Sequence, residues 1–438
     1  MARKIIINKF GGGILTKKFI PLIKERLNEQ IKAGYMPVIV VSAMHGITDE
    51  IIKFLNNKKI SDQSIRVFIK NLRDMHDQIM ANMGVKVNLQ EIFSKLRTVL
   101  EEALLRTVLA PADEDEIVSY GEKLSAAILT SYLSDLKLPV KKYLAEEIPI
   151  ITDDNFKNAN ILYKESEKNV QNKFLNLKEI PIIPGFTGIT RDGQTTTLGR
   201  GGTDTTACFI GSALQARNII LWKDVAGVFS ADPKIVPKAR TIPYISYREA
   251  EESGKVIHEK AIQYVKMFKT PIEITYIANP KLKTKIGKIM DQQKGAKIVS
   301  FKKDLALIII TDETAKITEL LYETSRIFSK YKVDMILISN TRYSLQIVAD
   351  NNNGLLDKVI GELKGNFSKI EISKVNMFFL VGNFNVKDVN DFNDILIKHK
   401  TGLQISAFLY ENCTRLEAVV KSDKVEDIIR VLYKKFIK

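Results

Sequence analysis

The chain has 438 residues, 45% hydrophobic and 27% charged, a formal net charge of +15, and two cysteines, Cys208 and Cys413. That length accommodates two or three domains with separate cores, and two distant cysteines exclude a disulfide scaffold and a CxxC zinc site, so both read as small buried or half-buried residues. No apolar run approaches the ~20 residues of a membrane helix, and the scattered lysines lack an aromatic–basic motif; membrane and nucleic-acid partners are not expected, whereas a basic field would gather anionic small molecules.

The N-terminus enters a strand at once, without a leader pattern, so a cytoplasmic location is expected. Lys4–Asn8 is a β-branched run, followed by Lys9-Phe10-Gly11-Gly12-Gly13 and helical periodicity over Ile14–Ala33. A strand, a glycine turn carrying a lysine, and a helix make a phosphate cradle in which Lys9 meets the charge of a transferring phosphoryl group. The spacing is not that of a Walker A loop, and three glycines alone also fit a tight turn. Pro37–Val41 reads as a central parallel strand whose carboxyl end carries Ser42 and Thr48, where open α/β sheets place ligands. His45 reads as structural or solvent-facing.

Asp49–Leu109 has the apolar spacing of helical scaffold. Pro111–Glu116 is an acidic helix start, read as a cap rather than a metal site. Glu122, after Gly121 within a buried-looking helix, needs a partner, because a buried carboxylate is costly without one. Val140–Ala145, Ile148–Thr152 and Ile180–Gly188 read as strands, and Asp192-Gly193 as a hairpin turn.

That turn feeds Thr195–Asp204, read as a loop running into a helix at Thr205–Ala216. Its hydroxyls, glycines, Arg200 and Asp204 supply hydrogen-bonding groups and little to bury. The arginine fork suits a carboxylate and the aspartate suits an ammonium, so the pair fits a zwitterion; a polar surface turn with an Arg–Asp pair is the other reading. Asn218–Trp222 is a strand ending in Lys223 and Asp224, and the segment through Phe229 and Lys234 either encloses a purine and its phosphates or is a plain turn at Asp232-Pro233.

A helix follows Ser253–His258, and Pro271–Ala278 is one more strand. Lys281–Ala296 is Lys/Gly/Gln-rich, placing a domain boundary near Lys294. Beyond it come strand Leu305–Thr311, helix Ala315–Lys330, strands Asp334–Ser339 and Ser344–Ala349, and helix Gly354–Lys364. Strands Lys369–Ser373 and Met377–Gly382, helix Asp388–Lys400, strands Leu403–Leu409 and Leu416–Val420, and helix Lys424–Phe436 complete two βαββαβ-like units. They carry no glycine- or histidine-rich chemistry and read as regulatory or oligomerising.

Taken in order, Lys9-Phe10-Gly11-Gly12, Val41-Ser42-Ala43 with Gly46 and Thr48, Gly121–Ser125, Gly185–Gly188, Thr196–Asp204, Trp222–Val225 and Ala231-Asp232-Pro233 resemble the aspartate kinases of the amino acid kinase family, from end to end. The resemblance implies a three-layer α/β/α sandwich over residues 1–294 and two α+β ACT-like units over 295–438, one typically inserted within the other. It implies phosphoryl transfer from ATP, with Mg²⁺, to the side-chain carboxylate of L-aspartate in lysine, threonine and methionine biosynthesis. Lys9 would stabilise the transferring group. Arg200 would hold the α-carboxylate, Glu122 and Asp204 the ammonium, and Ser42 and Thr48 would complete the pocket. The nucleotide would lie against Lys9, Gly11, Gly12, Lys223, Asp224, Phe229, Lys234 and Lys255, with no metal held by protein ligands.

Departures from the family pattern fall on the nucleotide side. Gly13-Ile14 replaces the usual Thr-Ser, Lys223 a threonine, Phe229 a tyrosine, Lys234 an arginine, and Glu259 the proline after His258. The usual glycine is absent at Asp312-Glu313-Thr314. A homodimer or larger homo-oligomer with an amino-acid effector and no second enzymatic domain is expected. A kinase for another acceptor and a weakly catalytic amino-acid sensor are the competing readings.

Overall fold

The computed structural model describes residues 4–57, 60–106, 109–174, 178–253, 257–288, 295–350, 354–398, 402–406, 414–421 and 424–437. Lys255, Lys294 and Cys413 lie outside them. The chain divides into two compact units, Met1–Val228 with Thr241–Asp291, and Phe229–Arg240 with Gln292–Lys438.

The first unit comprises β1 (Lys4–Phe10), α1 (Ile20–Lys32), β2 (Tyr35–Val41), α2 (Ile47–Leu55), α3 (Asp62–Met83), α4 (Gln90–Leu104), α5 (Pro111–Asp135), β3 (Val140–Lys142), α6 (Tyr163–Phe174) and β4 (Ile180–Pro184). It continues with β5 (Thr187–Ile189), β6 (Thr195–Thr197), α7 (Gly202–Ala213), β7 (Asn218–Lys223), β8 (Tyr244–Ser246), α8 (Tyr247–Ser253), α9 (Glu259–Phe268), β9 (Ile272–Tyr276) and β10 (Lys283–Gly287). Eight strands form one sheet in the order β3-β4-β2-β1-β7-β9-β10-β8, in which only β9 and β10 are antiparallel neighbours. Alternation along the buried strands sends Ile6, Phe10, Ile39 and Ile182 into the core that α1, α2 and α5 cover. Ile7 and Ile219 point the other way, onto α7 at Gly211, where a Cβ would stand 2.5 Å from the Ile219 side chain. Helices therefore cover both faces in a three-layer α/β/α arrangement, and the carboxyl ends of β1, β2, β4 and β7 share one edge.

In the second unit β11 (Gly295–Thr311), α10 (Ile317–Lys330), β12 (Met335–Asn340), β13 (Ser344–Ala349), α11 (Leu356–Asn366), β14 (Lys369–Asn383), α12 (Val386–Lys398), β15 (Gly402–Ser406), β16 (Arg415–Lys421) and α13 (Val425–Phe436) build an antiparallel sheet ordered β12-β13-β11-β14-β16-β15. Each long strand serves two subunits of structure. Leu305–Thr311 pairs with Lys369–Val375, and after a register shift Gly295–Lys302 pairs with Met377–Asn383. The α12–α13 half thus takes its last strand from residues that precede the α10–α11 half: one ACT-like βαββαβ unit is inserted in the other. The segment Phe229–Arg240 packs with this unit, its Ala231, Ile235 and Val236 entering the α12–α13 core.

Several boundaries differ from those expected. The first helix starts at Ile20, not Ile14, with Pro21 in its first turn; Ile14 and Leu15 are buried as loop residues, which mimics helical spacing. Ile148–Thr152 makes only isolated bridges, and β3 ends at Lys142. Thr195–Thr197 is a strand paired with β5 across the Asp192-Gly193 turn, and α7 begins at Gly202, so Asp204 is helical. The polar stretch after Lys281 contains β10, because Thr284 and Ile286 alternate inward. The expected strands at Lys369–Ser373 and Met377–Gly382 are one, β14.

Candidate active site

Parallel pairing sets Lys9 beside Leu221 and Phe10 beside Trp222. The two-residue strand period then places Ile7, Lys9, Ile219, Leu221 and Lys223 on the face that α7 covers. The helix opens after Gly201, whose φ of 73° suits glycine, and Asp204 occupies its first turn. Lys9 Nζ lies 2.7 Å from Asp204 Oδ1, and Lys223 Nζ lies 3.9 Å from Oδ2. The Lys9 and Asp204 side chains are 9% and 13% exposed, Lys223 32%. Burial pushes the Asp204 carboxyl up, but Lys9 and then Lys223 outweigh it and hold the group below its ordinary value. The Asp204 charge supports the Lys223 ammonium, while burial and Lys9 outweigh that and bring it below the usual lysine value.

The glycine loop lies against these charges. A Cβ on Gly11 would stand 3.4 Å from Lys9 Nζ, and one on Gly13 would stand 3.6 Å from Asp224 Oδ2. At Gly12 it would meet Ala43 O at 2.6 Å and His45 N at 2.9 Å, so the loop requires glycine there because the backbone of the segment that follows β2 lies against it. Ile14 N donates to Gly11 O at 2.9 Å, closing the turn.

Glu122 reaches the same edge from α5. The neighbouring Gly121 lets the helix approach Ala43, whose Cβ would be 2.9 Å from an added methyl, and Ala43 N donates to Glu122 Oε1 at 3.0 Å. Oε2 is buried and has no hydrogen-bond partner among the described residues. Burial pushes the Glu122 carboxyl up to about 8, against the hydrogen bond from Ala43 and the charge of Lys9.

Arg200 is exposed between Gly199 and Gly201, both with positive φ, and its guanidinium makes no hydrogen bond or ion pair among the described residues. Its loop is anchored from below by groups that pattern reasoning passed over. Asp115 accepts from Thr197 N at 2.7 Å, Thr197 Oγ1 at 2.9 Å and Lys157 N at 2.9 Å. Glu116 accepts from Thr195 Oγ1 and pairs with Lys123 at 2.7 Å. Lys260 Nζ donates to Asn158 O at 2.9 Å and Asn158 Oδ1 at 2.5 Å, beneath Gly199. The acidic run at the start of α5 is therefore more than a cap: Asp113 caps the helix, whereas Asp115 and Glu116 carry β6. The run itself was the available signal; nothing in the sequence marks Lys260. An Asp115→Asn variant is expected to lose about 1–3 kcal/mol of stability, because a carboxamide cannot accept all three bonds. Its KM for the amino-acid substrate should rise more than its kcat falls, which steady-state kinetics beside thermal melts would measure.

Of the expected site residues, Lys9, Asp204 and Lys223 are in direct contact, Gly11 and Gly12 line them, Glu122 reaches Ala43 beside Ser42, and Asp224 adjoins Gly13. Ser42 and Thr48 are half-buried around that edge. Phe229 and the exposed Lys234 fall in the segment that belongs to the second unit.

Residues 4–276 match the amino acid kinase family. The aspartokinase of Rickettsia bellii is 31% identical over 328 residues, covering 72% of this chain and 67% of that protein. The aspartokinase of Rickettsia prowazekii is 26% identical over 437 residues, covering 93% and 84%. In fold, the chain is similar to E. coli aspartokinase III in complex with aspartate and ADP, with a TM-score of 0.81 at 20% identity, over 98% of this chain and 99% of that one.

Proposed function

Because the chain belongs to the amino acid kinase family, and within it to the aspartokinases, we propose that this site transfers the γ-phosphoryl group of ATP to the side-chain carboxylate of L-aspartate. The observation that carries the reading is the Lys9–Asp204 ion pair at the strand edge, with the glycine loop against Lys9 Nζ and Arg200, unpaired among the described residues, four residues before Asp204. An aspartate carboxylate, with a reference pKa near ~3.9, is ionised at neutral pH and needs no general base. The protein's task is to bring two anions together and to meet charge as it develops.

Lys9 binds the transferring phosphoryl, and Asp204 holds Lys9 in place. Arg200 takes the α-carboxylate as a fork. Glu122 Oε2 and Asp204 take the ammonium, and Ser42 and Thr48 close the pocket. Gly11 and Gly12 let the main chain approach the phosphates, with Lys223 and Asp224 alongside. The nucleotide roles of Phe229, Lys234 and Lys255 rest on the resemblance alone. The donor set suits Mg²⁺ that arrives with the nucleotide: among the described residues no three His, Cys, Asp or Glu side chains converge into a cage, and Asp224 is an exposed carboxylate beside the loop. When bound, Mg²⁺ would neutralise phosphate charge.

Purified protein with Mg·ATP and a panel of amino acids is expected to release ADP only with L-aspartate. Release with a different acceptor, or none from folded protein, would overturn the assignment. The same reading places the protein in the cytoplasm as a homodimer or larger assembly, with an amino-acid effector at the ACT-like units. Light scattering with and without lysine or threonine tests the assembly; a monomer at every micromolar concentration contradicts it. Among the described residues no helix is long and apolar enough to cross a membrane.

A further inference from the structure

We infer that Lys223 is a second catalytic cation, sharing Asp204 with Lys9 and meeting the charge that develops on the leaving ADP; this rests on the kinase reading above. Lys223 is the last residue of β7, one strand over from Lys9 and on the same sheet face, so both ammoniums converge on the first turn of α7. The two contacts differ in kind. At 2.7 Å, Lys9 and Asp204 form a closed, nearly buried pair. At 3.9 Å, with a third of its side chain exposed, Lys223 is held near the carboxylate yet makes no hydrogen bond among the described residues, which leaves its donors available to a ligand.

The position suits the leaving group rather than the acceptor. Glu122 and Arg200 reach the site from α5 and from the loop before α7, whereas Lys223 is followed directly by Asp224, whose carboxylate adjoins Gly13 of the phosphate loop. That loop offers main-chain amides but no hydroxyl at Gly13 or Ile14, and Ile14 is turned into the core. An ammonium there adds the charge the loop lacks.

In the reaction a bond forms between a side-chain carboxylate oxygen of aspartate and Pγ. The bond from Pγ to the β,γ-bridging oxygen breaks, and its electron pair leaves with ADP. No proton moves and total charge is conserved, so the change at the leaving side is a build-up of negative charge on that oxygen. A cation that gains interaction only as this charge grows lowers the barrier without tightening ground-state binding.

The test is steady-state kinetics of Lys223→Met and Lys223→Arg, with ADP affinity by calorimetry and thermal melts for both. Lys223→Met is expected to lower kcat by about 10²-fold and to weaken ADP binding by about tenfold, because the charge Lys223 meets is fully developed in that product, while KM for ATP changes by less than about threefold. Lys223→Arg should recover about tenfold of the loss, which a purely structural role would not predict. For Lys223→Met, a kcat within about threefold of the parent, or a loss confined to KM for ATP, overturns the inference and leaves the kinase reading standing. If Lys223→Met fails to fold, Lys223→Gln takes its place in the same measurements: a kcat lowered by about 10²-fold in folded protein supports the inference, and a kcat within about threefold of the parent contradicts it. A parent protein that releases no ADP with L-aspartate fails at the earlier step, and the inference falls with it.

Discussion

Lys9→Met is expected to reduce kcat for aspartate-dependent ADP release by about 10²–10³-fold, equivalent to roughly 3–4 kcal/mol of transition-state stabilisation. Lys9 is nearly buried, so its charge acts where water screens little, and it is oriented before substrate arrives by Asp204 at 2.7 Å. The variant also removes the main partner of a buried carboxylate. Lys223 remains 3.9 Å away and limits the damage, but the Asp204 carboxyl, now held down by one cation rather than two, should titrate at higher pH. Lys9→Arg is not expected to rescue, because a planar fork cannot occupy the space of a point charge beside Gly11, whose Cβ position is 3.4 Å from Nζ. Activity within about tenfold of the parent for Lys9→Met would remove Lys9 from the reaction.

Aspartate affinity is expected to rise by roughly tenfold per pH unit between about pH 6 and pH 8 and to level off above that. Burial holds the Glu122 carboxyl protonated up to about pH 8, with Oε2 unpartnered among the described residues, and an ammonium requires the ionised form. Binding below that pH must therefore expel a proton. Stability follows the opposite course. Unfolded, the group titrates near 4.5; folded, near 8. Between those values the native state holds a proton that the unfolded chain has lost, so stability is fully present below the lower value and declines as pH rises, by up to about 1.4 kcal/mol per unit. Calorimetry in buffers of different ionisation enthalpy counts the proton, and melts of ligand-free protein trace the slope. Glu122→Gln should abolish the slope and weaken aspartate binding at every pH. Affinity that is flat from pH 6 to 8 in the parent would refute the assignment of Glu122 to the ammonium.

Pattern alone marked most of the candidate residues that the fold brings together, for a local reason. The groups that face a phosphate or a zwitterion cannot be buried apolar residues, so Lys9-Phe10-Gly11-Gly12 and Gly199–Asp204 stand out against β-branched runs on either side. The strands at Pro37–Val41 and Asn218–Trp222 were legible for the complementary reason, since a strand covered on both faces is apolar throughout. The insertion of one ACT-like unit in the other follows from the pairing of β11 with β14 across a register shift, which no residue near Gly295 announces.

What local pattern could not contain is which distant groups share a charge. Lys9 and Asp204 are far apart in the chain and 2.7 Å apart in space; the pattern marks Lys223 only as one more candidate nucleotide contact, and the parallel register of β1 and β7 is what turns it toward the carboxylate of α7. The same holds for Asp115, which in the sequence is one residue of an acidic cap and in the fold accepts from Thr197, and for Glu122, whose raised titration is a property of the walls around it. Chemistry-bearing residue types and their order are written along the chain, because each position's own propensity and polarity record them. Pair distances, burial and the resulting charge states belong to the tertiary structure, because electrostatic energy depends on separation and surrounding dielectric, and neither exists until the strands are paired.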